Sequence, residues 1–208
     1  MMDIVLRRAV PEDANAAVPL IHSSGPAVVD YIFAARGKDD VFSCLRRGFE
    51  RNRGELGYAI HTVAVVDGAV VGTGTAYSGS DMPGYMVAGM RHILGFYGIY
   101  YGVGVIRRAL QAERLIRPPA RGVHYVAHIG VDKSHWGRGI GARMVRHLLE
   151  EGRRLGRSVA VLDVSSINPR AQALYERLGF VVTGESVSAL RNQFAAVPDH
   201  RRMELKLG

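Results

Sequence analysis

The chain shows two repeating patterns of apolar and polar positions. Short stretches in which apolar and polar residues alternate predict β-strands, and longer stretches with apolar residues every three or four positions predict helices. An Asp67-Gly68 turn between two β-branched stretches predicts a hairpin. The predicted strands are 4–10, the two arms of the hairpin 59–78, 123–131, 158–165, 180–187 and 201–207, and the predicted helices are 11–22, 39–52, 140–156 and 168–180.

The stretch 79–122 does not fit this alternation and predicts an apolar insertion. Its segment 93–106 carries no charge, but it is shorter than the roughly 20 apolar residues that span a bilayer. We expect the insertion to cover the core, line a ligand cleft or meet a second copy in a homodimer. A membrane-surface helix between flanking arginines is the less favoured alternative. The aromatic residues expected to form the cleft wall or the subunit contact are Phe96, Tyr97, Tyr100 and Tyr101.

Composition favours one globular domain over residues 1–208. The chain has 208 residues, of which 48% are hydrophobic and 22% charged, which is enough to bury a core. Its single cysteine, Cys44, excludes a disulfide within one chain and favours a reducing compartment. Charged residues come within the first seven positions, so no signal peptide is expected and we expect a cytoplasmic protein.

The formal net charge is +8, and most of the basic residues are arginines. Arginine suits phosphate, so an anionic cofactor or an acidic surface is compatible with this charge. Basic residues do not form a run interleaved with aromatic ones, so a nucleic-acid partner is not expected.

Three glycines at alternate positions, Gly137, Gly139 and Gly141, precede the helix predicted at 140–156. Glycine is costly to order, so such a cluster indicates close approach of the backbone to a ligand. A Walker loop is absent. The segment 137–142, GRGIGA, fits a dinucleotide fingerprint with Asp163 as the ribose partner, but five residues separate it from the preceding strand. Only 45 residues follow Asp163, too few to complete a doubly wound sheet.

The segment 129–180 resembles the GNAT superfamily of N-acetyltransferases. The family signature Gln/Arg-x-x-Gly-x-Gly/Ala corresponds here to 136–141, with Trp136 replacing the usual Gln or Arg. A second block, N-x-x-A-x-x-x-Y-x-x-x-G-F, corresponds to 168–180. The resemblance covers 124–207 well and the N-terminal half in outline, and it implies an α/β (α+β) fold. That fold has a curved, mostly antiparallel sheet of six or seven strands flanked by helices, in which strands 123–131 and 158–165 run parallel and splay apart.

The resemblance also implies acetyl-CoA as cosubstrate, no metal, and direct attack by a primary amine of a small molecule or peptide. The helix N-terminus would bind the pyrophosphate of coenzyme A. Tyr175 would protonate the departing thiolate as general acid, and Asp163 would be the base. The residues expected to bind the cofactor are Ile129 and Val131 through their main chains, Gly137, Arg138, Gly139, Ile140, Gly141, Ala142 and Asn168.

The sequence leaves three alternatives open. His124 or His128 has a suitable pKa for the base, whereas Tyr125, at the position of a family glutamate, does not. Tyr175 also fits the apolar spacing of its helix and would then be a core residue. A non-catalytic acyl-CoA-binding module would keep the glycines and Asn168 without needing Tyr175 or Asp163.

Overall fold

The computed structural model describes residues 3–35, 37 and 39–208, and within them seven strands form one mixed sheet. The strand order is β1-β2-β3-β4-β5-β7-β6, and all neighbours are antiparallel except β4 and β5. The expected α/β architecture with a mostly antiparallel sheet is therefore confirmed. The strands are β1 (Val5–Arg8), β2 (His61–Val66), β3 (Ala69–Ser78), β4 (His124–Val131), β5 (Val159–Ser165), β6 (Val181–Ser186) and β7 (His200–Lys206).

Six α-helices flank the sheet in the described part of the chain. They are α1 (Ala14–Ser24), α2 (Pro26–Phe33), α3 (Asp39–Glu50), α4 (Met82–Leu115), α5 (Ile140–Arg154) and α6 (Pro169–Arg177). The predicted helix at 11–22 begins as a 3-10 turn, Pro11–Asp13, and continues to Ser24 as α1. Helix α2 was not predicted, because its eight residues are almost all apolar and too few for a helical repeat to stand out.

The helices divide between the two faces of the sheet. Helix α5 packs on one face, where Leu148 and Leu149 join Val126 of β4 and Met203 of β7 in a buried cluster. Helices α1 and α3 pack together with Val63 of β2 in a second apolar cluster. Burial on both faces holds the central strands in place and fixes where their ends project.

The parallel strands β4 and β5 pair only at their beginnings. Their ladder comprises His124–Ala160 and Tyr125–Val161, and no further pair joins them. Strand β5 instead pairs along its whole length with β7. The two strands therefore separate toward their C-terminal ends, as the resemblance predicted, and a cleft opens between them.

The apolar insertion forms helix α4, which spans 34 residues and is kinked at Gly98, where φ is 68°. Tyr97 is buried and its hydroxyl donates to the carbonyl of Phe33 at 2.6 Å, whereas Tyr100 is 87% exposed. None of the four aromatic residues expected at the cleft lines it, because they lie near the kink. Contact of this region with a second copy stays a prediction. Among the described residues, no helix combines the length and apolar character needed to cross a bilayer.

Candidate active site

The glycine segment forms a tight loop that leads into helix α5. Gly137 and Gly139 have φ values of 79° and 80°, a left-handed conformation that side chains with a Cβ disfavour. Gly139 is the N-cap of α5, and it supplies no side-chain oxygen to the first turn. The amides of the first turn lack intrahelical partners, so this end of α5 has hydrogen-bond donors and a positive dipole available for an anion.

This loop faces the cleft that opens between β4 and β5 and extends to α1, α2 and α4, with a volume of about 1460 Å³. Every residue to which the sequence analysis gave a catalytic or cofactor-binding role lines the cleft except Arg138. Five arginines that the sequence analysis did not assign line it as well: Arg53, Arg117, Arg146 on α5, and Arg170 and Arg177 on α6. Arg143, which follows Gly141 in the first turn of α5, borders a separate groove. The predicted residues that line the cleft are Ile129, Val131, Gly137, Gly139, Ile140, Gly141, Ala142, Asp163, Asn168 and Tyr175.

Trp136 connects the loop to strand β4 and helix α6. Its indole nitrogen donates to the carbonyl of Val131 at 2.7 Å, and the Arg170 guanidinium lies 4.3 Å from its ring centroid. The bond occupies one acceptor position of the carbonyl of Val131, whose main chain the sequence analysis expected to bind the cofactor. Trp136 therefore holds the loop against β4 and positions the Arg170 guanidinium beside the cleft.

We expect Trp136→Phe to lower the free energy of unfolding by about 1 kcal/mol, because the ring remains for Arg170 while the hydrogen bond to Val131 is lost. Urea denaturation of both proteins measures this difference. Arg170→Gln serves as the control that keeps the indole bond. Equal stability of Trp136→Phe and the unchanged protein would show that the bond does not hold the loop.

Helix α6 presents Tyr175 to the cleft. Asn168 caps this helix, since its Oδ1 accepts from the amide of Ala171 at 3.1 Å. The Tyr175 side chain is buried and packs edge-on against Phe180, with 6.0 Å between ring centroids. Burial raises the pKa of Tyr175 to about 12. The phenol is therefore protonated at neutral pH and can act as a proton donor.

Asp163 lies at the C-terminal end of β5 with two neighbours on its Oδ2 atom. The Tyr125 hydroxyl donates to it at 2.8 Å, and Arg202 Nη1 lies 3.4 Å away. Burial raises the pKa of Asp163, while the hydrogen bond from Tyr125 and the charge of Arg202 act in the opposite direction. Tyr125 is itself buried, which raises its pKa well above 10, so it is a donor rather than a base.

The other groups that the sequence analysis weighed occupy different environments. His124 is buried, and its Nε2 lies 2.8 Å from the carbonyl of Leu148 on the α5 side of the sheet. Burial raises the pKa of the Cys44 thiol to about 12, and Cys44 does not line the cleft. Of the candidate histidines on β4, only His128 lines the cleft.

The wall of the cleft beside helix α4 carries carboxylates that no sequence motif indicates. Glu55 accepts a hydrogen bond from the Tyr77 hydroxyl at 3.4 Å. Burial raises the pKa of Glu55, and the neighbouring charge of Glu113 adds to this effect. Both glutamates line the cleft, although neither belongs to a recognisable sequence motif. In the described part of the chain, histidine, cysteine and acidic residues form no group of three or more suited to a metal ion.

Comparison with known proteins places this geometry in a family. The model of the acetyltransferase (GNAT) family matches residues 30–180. The chain is 46% identical over 59 residues to human N-acetyltransferase 8B, covering 28% of this chain and 26% of that protein. It is 33% identical over 85 residues to the L-amino acid N-acyltransferase MnaT of Escherichia coli (strain K12), covering 40% and 49% of the two chains. The matches thus span between about a quarter and a half of these relatives.

The structure of yncA, a putative acetyltransferase from Salmonella typhimurium with its cofactor acetyl-CoA, resembles this chain over nearly its whole length. The TM-score is 0.58 with 19% sequence identity, and the match covers 99% of this chain and 94% of yncA. At that identity the similarity shows the shared fold. The family match over most of the chain and the loop, cleft and splayed strands lead to the same conclusion: this chain belongs to the acetyltransferase (GNAT) family.

Proposed function

We propose that the protein transfers the acetyl group of acetyl-CoA to a primary amine of a small molecule or peptide. The observation that carries this proposal is the N-terminus of α5, which opens through two left-handed glycines into the cleft between β4 and β5. Tyr175 and Asp163 line the same cleft. A pyrophosphate-binding end and a proton donor in one cleft match what acyl transfer from a thioester requires.

Binding of acetyl-CoA begins at its pyrophosphate in this proposal. The amides of Ile140, Gly141 and Ala142 point along the helix axis toward an incoming anion, and the helix dipole adds attraction. Arg146 and Arg170 supply positive charge at the rim of the cleft. The pantetheine then runs beside Ile129 of β4, where the separation from β5 leaves main-chain groups without a strand partner.

The reaction proceeds by direct attack in the ternary complex. The lone pair of the neutral amine forms a bond to the thioester carbonyl carbon, and the carbon–sulfur bond then breaks. Tyr175 transfers its hydroxyl proton to the departing thiolate, and the amine nitrogen gives up one proton to Asp163. The products are the acetylated amine and coenzyme A, and proton exchange with water restores both side chains. A phenol with a pKa of about 12 is a weaker acid than a thiol with a pKa of about 8.5, so Tyr175 stabilises the departing thiolate by donating its hydrogen bond and proton as the carbon–sulfur bond breaks, and water then returns a proton to the phenolate.

Carboxylates that line the cleft support an amine as acceptor. Glu55 and Glu113 line the wall beside α4 together with Arg53 and Arg117, and three further arginines line the cleft on α5 and α6. The chain is basic as a whole, with a net charge of +8, so carboxylates in this wall are a local feature. An amine that arrives as its ammonium form is attracted to them.

The test is release of free thiol from acetyl-CoA over a panel of primary amines. The panel should include diamines, aromatic amines, amino acids and peptides with free N-termini, and each reaction needs a control without amine. We expect thiol release that depends on at least one amine and a product heavier by one acetyl group. Binding of acetyl-CoA without amine-dependent release across the panel would favour the acyl-CoA-binding module instead.

Asp163→Asn is expected to lower activity most at neutral pH and less at alkaline pH, where the amine deprotonates without help. The activity of the unchanged protein should fall as the pH drops through the pKa of Asp163.

Tyr125→Phe tests the same assignment, because it removes a hydrogen bond that lowers the pKa of Asp163 and should therefore raise that pKa. The acidic limb of the pH–rate profile should therefore move to higher pH. Unchanged profiles in both variants would remove Asp163 from the mechanism.

A further inference from the structure

Two histidines far apart in the sequence form a hydrogen-bonded pair on the α1 and α3 side of the sheet. The side chain of His61 on β2 is completely buried. Its Nδ1 lies 2.7 Å from the carbonyl oxygen of Gly57, and its Nε2 lies 3.1 Å from Nδ1 of His128 on β4. The two rings are nearly parallel, with 8° between their planes and 5.3 Å between centroids.

The partners of these nitrogens determine where each proton lies. A carbonyl oxygen only accepts, so Nδ1 of His61 carries a hydrogen that it donates to Gly57. Burial lowers the pKa of His61 to about 4 and that of His128 to about 3, so both rings are neutral at neutral pH. Nε2 of His61 is then an acceptor, and Nδ1 of His128 must be the donor to it. Nε2 of His128 is left with a lone pair.

The position of His128 directs that lone pair toward the active cleft. His128 lines the cleft, and β5 lies on the opposite side of β4 from β2 and His61. The two nitrogens of an imidazole point in diverging directions, so a ring bonded to His61 through Nδ1 has Nε2 directed away from β2, and β5 is the neighbour of β4 on that side.

The backbone of His128 is strained. His128 and Ile129 together oppose a single residue of β3, and the φ of His128 is 56°. Such strain in a non-glycine residue is concentrated at functional sites.

We propose that Nε2 of His128 accepts a hydrogen bond from the amine of the acceptor and so aims the amine lone pair at the thioester. The inference rests on the proposed acetyl transfer and adds a residue that contacts the nucleophile. His128 precedes Ile129, whose main chain is assigned to the pantetheine, so the thioester and the amine would meet beside this ring. The proton released by the amine still goes to Asp163, because a neutral ring with so low a pKa is a weak base.

The variant His128→Asn removes Nε2 and keeps a donor for the hydrogen bond to His61. The asparagine Nδ2 takes the place of Nδ1 and can still donate to His61, and asparagine tolerates a positive φ. We expect kcat/KM for the amine to fall by about 10²-fold, the cost of a misplaced nucleophile. The KM for acetyl-CoA, the melting temperature and the position of the acidic limb of the pH profile should stay nearly unchanged. If the wild-type protein releases thiol and His128→Asn has an unchanged kcat/KM for the amine, this inference is overturned while the proposed function stands.

His61 is a positioning residue in this scheme, and its substitution should act on the amine step only. His61→Gln keeps an acceptor for Nδ1 of His128, whereas His61→Leu removes it. We expect His61→Leu to lower kcat with little change in the KM for acetyl-CoA, and His61→Gln to recover part of the loss. Equal loss in both variants, in step with their melting temperatures, would indicate a purely structural role.

The protonation pattern itself is measurable without any activity. Nitrogen-15 correlation spectra of the imidazoles in the full chain should show a proton on Nδ1 and none on Nε2 for both His61 and His128. A proton on Nε2 of His128 would overturn the inference even if acetyl transfer is confirmed. Absence of thiol release by the wild-type protein would instead remove the proposed function, and this inference with it.

Discussion

Tyr175→Phe is expected to lower turnover by about 10²–10⁴-fold, the usual contribution of a general acid, with little change in the affinity for acetyl-CoA. The substitution keeps the ring against Phe180 and removes only the hydroxyl. Burial raises the pKa of Tyr175 to about 12, so the phenol carries the proton that the leaving thiolate needs at neutral pH. Turnover, affinity for acetyl-CoA and melting temperature should be measured on the same preparation.

A packing role for Tyr175 makes the opposite prediction. If Tyr175 is only a core residue, the phenylalanine variant keeps near-normal turnover and any loss follows stability. Leu174→Ala provides the matched control, because it removes apolar contact from the same helix without touching the hydroxyl. It should lower the melting temperature more than Tyr175→Phe and lower turnover less.

Gly139→Val is expected to abolish the rise in melting temperature that coenzyme A produces. Ligand bound to the native state stabilises it by RT ln(1 + [L]/Kd), so a rise at saturating ligand reports binding directly. Gly139 has φ 80°, and valine there would force the loop out of the conformation that exposes the first amides of α5. Gly141→Val should also reduce binding, although its Cβ would lie 3.3 Å from Leu174 Cδ2 and adds crowding between α5 and α6.

Gly156→Val is the matched control for backbone strain. Gly156 follows the other end of α5, has φ 68°, and has open space where a Cβ would project, as Gly139 does. This variant should lose stability comparably yet keep the full rise in melting temperature with coenzyme A. A full rise in Gly139→Val would show that the loop does not bind the cofactor.

The strands and most helices could be predicted from the sequence because their patterns are local. The Asp67-Gly68 hairpin and the start of the helix near residue 168 depend on neighbouring residues, and both appear where the sequence analysis predicted them. Helix α2 was missed because it is short and almost uniformly apolar. The kink at Gly98, inside an uncharged segment, gives no amphipathic signal that would separate the two halves of α4.

The sequence indicates which backbone segments border the cleft, but it does not indicate which side chains turn toward it. The glycines and Tyr175 were assigned because their spacing within one segment carries the information. Arg138 was assigned from its place in the loop, but the loop turns between two left-handed glycines, and Arg146 lines the cleft instead. The contact between His61 and His128 joins residues 67 positions apart, and no local pattern signals it.

The most direct test of this account is an experimental structure of the protein with acetyl-CoA bound. We expect the pyrophosphate oxygens within about 3 Å of the amides at the start of α5. We expect the thioester in the cleft between β4 and β5, with its sulfur within hydrogen-bond reach of the Tyr175 hydroxyl. A cofactor whose phosphates bind away from Gly139 and Gly141, or whose sulfur lies far from Tyr175, would contradict the account.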